Sequence, residues 1–342
     1  MSLKDLLYPL AWAYRGVTGC RNWFYDKRLF RATKVDAKVI SIGNLTVGGT
    51  GKTPVTLALL EGFKARGYTC GVVSRGYMRQ ESGTLVVDNS PLAAHRFGDE
   101  PALIKSAFPE VPVLVSEKRV AAARELLAHS PVDIVICDDA FQHRSLHRDL
   151  NILLIDATES LKNYRLLPVG RAREAVKPAI SRADFIVLTK SNLVSSEQLN
   201  EVREWIKSKG GDKPVLTADY VFKGMRSLKG QVVQSFKDSA YVVSGIAKPE
   251  AFEKTIGDRV KVVKHKVFPD HHRYRDIEIE AILDDASQLQ ARWILTTAKD
   301  GMKLGAFHRL RERLWIVELG IKLNGDVNAF YEAVDRLGRK GH

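Results

Sequence analysis

Apolar residues fall into short unbroken runs along much of the chain, at 39–42, 70–73, 113–115, 134–137, 152–155 and 185–188. Runs that do not alternate with polar residues are the pattern of strands covered on both faces. Stretches with helical spacing lie between several of them, as at 53–67 and 117–129. This alternation predicts an α/β fold, a mostly parallel sheet flanked by helices. Residues 209–214 read as a turn, and 223–237 are polar with two glycines. A second α/β series follows at 241–244, 260–267, 294–297 and 314–317. The organisation read from this is a core domain over 35–222 and a smaller α/β domain over 223–318, joined by a hinge. A C-terminal helix over 319–342 is expected to return to the core.

Residues 1–34 follow a different pattern. Leu6, Leu7, Leu10, Tyr14 and Val17 recur at helical spacing, Trp12, Trp23, Phe24 and Tyr25 add aromatic surface, and Lys4, Arg15, Arg21, Lys27, Arg28 and Arg31 surround them. Trp and Tyr beside Lys and Arg suit a helix lying in the headgroup plane of a membrane. A helix packed on the main domain is the alternative. The apolar run at 6–14 falls well short of the ~20 residues that span a bilayer. No small-residue cleavage site follows it, so the chain is expected to keep this segment and to stay in the cytoplasm.

The net charge of +13 points to an anionic partner, whether nucleic acid, an anionic membrane surface or a phosphorylated substrate. The basic residues are spread along the chain and no recognition motif accompanies them, so nucleic acid is not expected. Cys20, Cys70 and Cys137 form no C-x-x-C pair. Cys70 and Cys137 lie in apolar runs and read as buried reduced thiols.

The strongest local signal is Val47-Gly48-Gly49-Thr50-Gly51-Lys52-Thr53-Pro54, between a predicted strand and a predicted helix. Glycines let backbone N–H groups converge on phosphate oxygens, and the helix N-terminus adds a favourable dipole. Lys52 would reach the β- and γ-phosphates of ATP, and Thr53 would place its hydroxyl on Mg²⁺. The fold expected is therefore P-loop NTPase-like. The full pattern wants glycine at position 46, where this chain has Thr46.

Asp138 and Asp139 end the run at 134–137, where a P-loop enzyme holds Mg²⁺; solvated turn acids are the alternative. Asp99 lies at a turn before a helix and reads equally as an N-cap. Pro269-Asp270-His271-His272 reads as a catalytic or substrate-contacting histidine in preference to a metal site, because adjacent side chains rarely face one ion. An exposed loop histidine is the other reading. Arg75 follows the second strand at the edge where open α/β sheets bind ligands. Lys190 and Lys299-Asp300 follow later strands and would contact a nucleotide base or cap helices.

Together these motifs resemble the tetraacyldisaccharide 4′-kinase family, the lipid A 4′-kinases of Gram-negative bacteria. The resemblance rests on residues 43–54, Ser74-Arg75-Gly76-Tyr77, Gly98-Asp99-Glu100, Asp138-Asp139-Ala140-Phe141-Gln142-His143 and Phe268-Pro269-Asp270-His271, and runs on to 295–300. Threonine or serine at position 46 is itself characteristic of that family. The resemblance implies transfer of the γ-phosphate of ATP to the 4′-hydroxyl of a tetraacylated glucosamine disaccharide 1-phosphate. It implies Asp99 as base paired with His271, and Asp138 and Asp139 in Mg²⁺ binding and catalysis beside Lys52. The nucleotide loop would be Thr46, Val47, Gly48, Gly49, Thr50, Gly51, Lys52 and Thr53. Arg75, Arg119, His143 and Arg173 would touch phosphate or substrate. A bilayer-resident acceptor also implies peripheral binding at the cytoplasmic face of the inner membrane. The chain departs from the family at Ala140, usually glycine, and at Ala172, usually leucine, which bears on substrate contacts and not on the reaction. A nucleotide switch is the rival from another class, but no Asn-Lys-x-Asp base-reading segment supports it.

Overall fold

The computed structural model describes residues 7–90 and 92–338. Lys4 and Leu6 of the predicted helix, and residues 339–342 of the C-terminal segment, lie outside the described residues. Among the described residues thirteen strands join in one sheet. They are β1 (Lys38–Asn44), β2 (Cys70–Ser74), β3 (Leu85–Val86), β4 (Val113–Val115), β5 (Ile134–Cys137), β6 (Leu150–Asp156), β7 (Phe185–Thr189), β8 (Val215–Ser227), β9 (Val232–Val233), β10 (Ser239–Ser244), β11 (Lys261–Val267), β12 (Trp293–Thr297) and β13 (Leu314–Asn324). The helices are α1 (Tyr8–Asp26), α2 (Lys52–Ala65), α3 (Ala93–Phe97), α4 (Asp99–Ala107), α5 (Arg119–His129), α6 (Val176–Arg182), α7 (Ser196–Gly210), α8 (Pro249–Ile256), α9 (Asp276–Gln288), α10 (Ala298–Leu304) and α11 (Val327–Arg336).

The first half of the sheet runs β8-β7-β6-β1-β5-β2-β4, all parallel. Its strands are the unbroken apolar runs of the sequence. All four residues of β5 and all five of β2 and β7 are buried, as helices on both faces require. The second half runs β11-β10-β12-β13, again parallel within itself. The halves meet where β13 pairs antiparallel with β8, from Trp315 opposite Ser227 to Asn324 opposite Thr217.

The sequence reading missed β8. Its residues Lys223, Gly224 and Arg226 look like a polar connector, yet Met225 between them is buried. The expected boundaries at 222/223 and 318/319 fall inside β8 and β13. There the register shifts between Glu318 and Leu319, opposite Gly224 and Phe222. Such a bulge bends a strand pair locally. With the two halves running oppositely, their carboxyl edges meet: Asp99 and Asp156 in the first half contact His271 and Lys248 in the second.

Each half has its own core. Around β1 and β2 the largest cluster gathers Phe63, Leu59 and Val55 of α2, and α11 adds Phe330, Tyr331 and Val334 to it. Phe63 stacks on Phe330 at 6.3 Å and meets Tyr331 edge-on at 5.9 Å. A fully buried Phe contributes about 1.5–3 kcal/mol, so α11 anchors the chain end on the first half. The second half packs Tyr241, Ile279, Ile282, Ile294 and Leu304 together. Cys70 and Cys137 are buried and Cys20 is exposed, all as free thiols. Burial pushes the Cys70 and Cys137 thiols up to about 12.

Helix α1 packs on the main body, one of the two readings of its pattern. It is tied to the first half by polar groups: Tyr14 Oη donates to the Arg173 carbonyl at 2.8 Å, Arg21 to the Gln142 carbonyl at 2.8 Å, and Asn22 Nδ2 to Glu174 Oε2 at 3.0 Å. Its apolar residues Leu10, Trp12, Val17 and Trp23 face outward. No helix among the described residues is long and apolar enough to cross a membrane.

Candidate active site

Strand β1 ends at Asn44 and the chain enters α2 through the glycine-rich loop. Thr46 makes an extended bridge to Ala172, flanked by Val47 N–H donating to the Arg171 carbonyl and Arg173 N–H to the Leu45 carbonyl. That geometry suits a β-branched residue, so the missing first glycine carries no strain. Gly48 and Gly51 do need to be glycine: their φ values are 111° and 83°, and the Arg171 guanidinium lies where a Gly48 side chain would stand. Gly51 caps α2 without any side-chain hydrogen bond, which leaves the first N–H groups of the helix open to an anion. The Thr50 hydroxyl is buried with no partner among the described residues.

The end of β7 holds this loop from below. Thr189 Oγ1 donates to the Thr50 carbonyl at 2.8 Å, and Lys190 Nζ donates to the Gly49 carbonyl at 3.0 Å and to Asp156 Oδ2 at 2.6 Å. Burial pushes Asp156 up, but Lys190 and Lys248 outweigh it and hold the carboxyl below the usual range. Lys248, from the second half, also reaches Asp156 at 2.9 Å and Glu159 at 3.1 Å.

Lys52 Nζ stands 3.5 Å from Asn44 Oδ1 and 3.5 Å from Asp139 Oδ1. Asp138 and Asp139 follow β5, as their position after the apolar run implied. Asp138 is buried with the Thr56 hydroxyl 3.4 Å away, and burial, against the pull of the Lys52 ammonium, pushes its carboxyl up to about 7. Asp139 differs: burial again pushes up, but Lys52 and Arg173, the latter at 2.9 Å, hold it below the usual range. Its backbone lies in the left-handed region, at φ 48°. Arg119 is 3% exposed and donates to the Ser116 carbonyl at 3.2 Å. Burial and the charges of Arg119, Arg148, Arg21 and Arg75 push His143 down to about 4. Arg75, Arg119, His143 and Arg173 thus cluster beside the two acids.

Asp99 opens α4 and does not cap it. Gly98, at φ 98°, occupies the cap position, and the Asp99 carboxylate points across to the second half. His271 Nδ1 lies 3.1 Å from Asp99 Oδ2, and Lys303 Nζ lies 3.1 Å from the same oxygen. Burial pushes Asp99 up, but His271, Lys303 and Lys299 outweigh it, so the group stays ionised below its ordinary range. A cleft lined by Tyr77, Gly98, Asp99, His271, Arg273 and Lys303 opens beside this contact. The neighbouring His272 is used differently: it stacks on Phe268 and meets Glu278 at 3.1 Å. Among the described residues no group of three or more His, Cys, Asp or Glu side chains is arranged to hold a metal alone.

In the sequence Lys303, Asp156 and Lys248 belong to no motif, while Lys190 and Lys299 read as base contacts or helix caps. Lys299 and Lys303 carried a usable signal. They are four residues apart just after a strand, so one face of α10 points both ammonium groups at the carboxyl edge.

The family model for tetraacyldisaccharide-1-P 4′-kinase matches residues 3–338. A tetraacyldisaccharide 4′-kinase of Bdellovibrio bacteriovorus is 38% identical over 343 residues, covering 98% of this chain and 100% of that one. Another from an Anaeromyxobacter species is 32% identical over 331 residues, covering 94% and 87%. The crystal structure of Aquifex aeolicus LpxK in complex with ATP superposes with a TM-score of 0.78 at 30% identity, covering 98% of this chain and 99% of that chain. Whole-length agreement in sequence and in fold places the chain in the tetraacyldisaccharide-1-P 4′-kinase family.

Proposed function

We propose that this protein transfers the γ-phosphoryl group of ATP to the 4′-hydroxyl of a tetraacylated glucosamine disaccharide 1-phosphate, with Asp99 as the base. The observation that carries this residue assignment is the meeting of Asp99 with His271 at 3.1 Å, on the carboxyl edge that also bears Lys52, Asp138 and Asp139. The acceptor O–H bond breaks as its proton passes to Asp99, the alcohol oxygen bonds to the γ-phosphorus, and ADP leaves. Such a reaction needs positioning and charge stabilisation more than covalent help. Lys52 and the N–H groups of residues 48–53 bind the phosphates, and the orphan Thr50 hydroxyl supports that use of the loop. Arg75, Arg119, His143 and Arg173 are read as contacts to phosphate or substrate.

The residues also fit Mg²⁺. Thr53, Asp138 and Asp139 offer hard oxygen donors, and among the described residues Asp138 is a buried carboxyl with no salt bridge, the Lys52 charge acting on it from nearby. Two carboxylates with nucleotide phosphates make a typical Mg²⁺ set. Bound there, the ion would neutralise charge on the β- and γ-phosphates. The two halves are read as domains, 35–222 and 223–318, that close over ATP through the β8–β13 pair. The outward apolar face of α1 and the net charge of +13 support docking on the anionic cytoplasmic face of the inner membrane.

The test is ATP consumption in mild detergent with and without the tetraacyl disaccharide 1-phosphate, reading the lipid by mass. Turnover only with acceptor and one added phosphate is the expected result. Acceptor-independent hydrolysis without lipid product would overturn it.

A further inference from the structure

Lys299 presents its ammonium 3.1 Å from Nε2 of His271, on the side of the ring away from Asp99. An ammonium can only donate, and an ionised carboxylate can only accept. An imidazole held between the two satisfies both in a single state: its lone pair at Nε2 toward Lys299, its proton at Nδ1 toward Asp99. The other tautomer would set N–H against ammonium and a lone pair against carboxylate. We propose that Lys299 is a positioning residue that fixes His271 as the Nδ1–H tautomer and so makes the ring a standing donor to Asp99. This rests on the reading of Asp99 as the base.

The surrounding scaffold registers the two side chains to each other. The Gly245 carbonyl accepts from His271 N–H at 3.3 Å, and the Gly245 N–H donates to Asp300 Oδ2 at 2.9 Å. Asp300 in turn accepts from Thr297 Oγ1 at 2.8 Å, at the start of α10, the helix that carries Lys299. A single residue, Gly245, thus ties the histidine loop to that helix through its carbonyl and its N–H. An added Cβ at Gly245 would lie 3.1 Å from Asp300 Oδ1 and 3.2 Å from Tyr274 Oη, so the corner is closed. His271 also has a φ of 63°, a conformation held by these contacts.

The other groups facing the ring do not compete for Nε2. Glu100 and Asp270 carboxylates stand 3.7 and 3.9 Å away, beyond hydrogen-bond reach, and Tyr77 packs edge-on at 5.2 Å. Both carboxylates instead hold Lys299, at 3.4 and 2.9 Å. Burial pulls the Lys299 ammonium toward neutrality, but Glu100, Asp270 and Asp99 outweigh it and keep it charged. Lys303 completes the arrangement, since it and His271 both bond Oδ2 of Asp99. Among the described residues both bonds fall on Oδ2, and Oδ1 would take the acceptor proton.

The test is nitrogen NMR on protein with labelled histidines, His271 being assigned by the resonances lost in His271→Gln. Wild type at a pH where the ring is neutral should show a protonated Nδ1 and a lone-pair Nε2. Lys299→Met should weaken that preference, because only Asp99 then favours the Nδ1 proton, and Lys299→Arg should restore it. We expect kcat for Lys299→Met to fall ~10- to 100-fold with KM for ATP unchanged, a part of what a positioned base contributes. A wild-type ring protonated at Nε2 would overturn the proposal. So would a Lys299→Met ring with the same balance of tautomers as wild type, whatever its turnover. A weakened preference with wild-type turnover would uphold the hold of Lys299 on the ring and overturn the base reading instead.

Discussion

Asp99 and His271 lie 172 positions apart in the chain and meet at 3.1 Å, one from each half of the sheet. The contact spans the carboxyl edges of both halves, so it reports whether they are closed as well as where a proton goes. Burial pushes the Asp99 carboxyl up, and the hydrogen bond from His271 with the Lys303 and Lys299 ammonium groups, all from the second half, outweighs it. Separating the halves would therefore weaken the charge on the base.

Replacing Asp99 with Asn keeps the shape and removes the proton acceptor. Turnover should fall ~10²- to 10⁴-fold while ATP affinity is unchanged, the range of a positioned general base. His271→Gln should cost less, because the carboxylate keeps Lys303 at 3.1 Å. Steady-state kinetics with calorimetric ATP titration would separate the two effects. Wild-type kcat in Asp99→Asn would end the base assignment.

Asp138 gives a prediction with opposite signs for stability and activity. Its carboxyl is pushed up to about 7 by burial, from an ordinary value of 3.8. Between those values the folded state binds more proton than the unfolded state, so this group lowers stability as pH rises through the window. Asp138→Asn should therefore raise the stability of the ligand-free protein at pH 8 by about 2–4 kcal/mol. At pH 5 most of that gain should vanish, and Mg²⁺-dependent turnover should be lost throughout. Denaturant melts at the two pH values decide it; equal stabilities at pH 8 would mean that the carboxylate is already compensated.

The parallel core and the phosphate loop were legible because each is written locally. Unbroken apolar runs specify strands buried on both faces, and the Gly48–Gly51–Lys52 spacing specifies a loop that leaves helix N–H groups free. The long strand β8 was not legible, since its pairing with β13 depends on a partner about a hundred residues away. The Asp99–His271 pair was available only through resemblance to a family. Read locally, Asp99 looked like an N-cap, and nothing near it in sequence says that Gly98 takes that place. Lys190 and Asp156 were hidden for a similar reason: a buried ion pair 34 positions apart leaves no periodic trace.

His143 should make the protein acid-sensitive. Burial, then Arg119, Arg148, Arg21 and Arg75, push it down to about 4 from 6.5. Between about 6.5 and 4 the unfolded state binds more proton, so stability falls as pH falls through that range. His143→Gln should flatten this part of the Tm-against-pH curve relative to wild type. The ring is partly exposed, so the size of the change is reduced by solvent screening. Parallel curves for the two proteins would remove His143 as the cause.

Asp156 holds Lys190 under the phosphate loop and Lys248 from the second half. Asp156→Ala leaves a buried ammonium unpaired beside the Gly49 carbonyl, which should cost about 3–5 kcal/mol. KM for ATP should rise with it. Lys248→Met keeps the buried pair intact and should raise KM for ATP with a far smaller loss of stability. If both variants lost only stability, with KM unchanged, the pair would be a structural anchor with no hold on the nucleotide loop.

Helix α1 separates two jobs on opposite faces. Tyr14, Arg21 and Asn22 bond the body of the protein, while Trp12, Val17 and Trp23 are 69%, 70% and 51% exposed. Changing Trp12 and Trp23 to Ala should leave the melting temperature and ATP binding unaltered, since neither ring is part of a core. Binding to vesicles containing anionic lipid should weaken at least ~10-fold, because each Trp loses its apolar burial in the interface. Wild-type binding should also fall with added salt, as basic residues near an anionic surface contribute about 1 kcal/mol each. Cosedimentation at low and high salt, with anionic and zwitterionic vesicles, measures both. Equal binding by wild type and the double variant would leave the outward face of α1 without a membrane role.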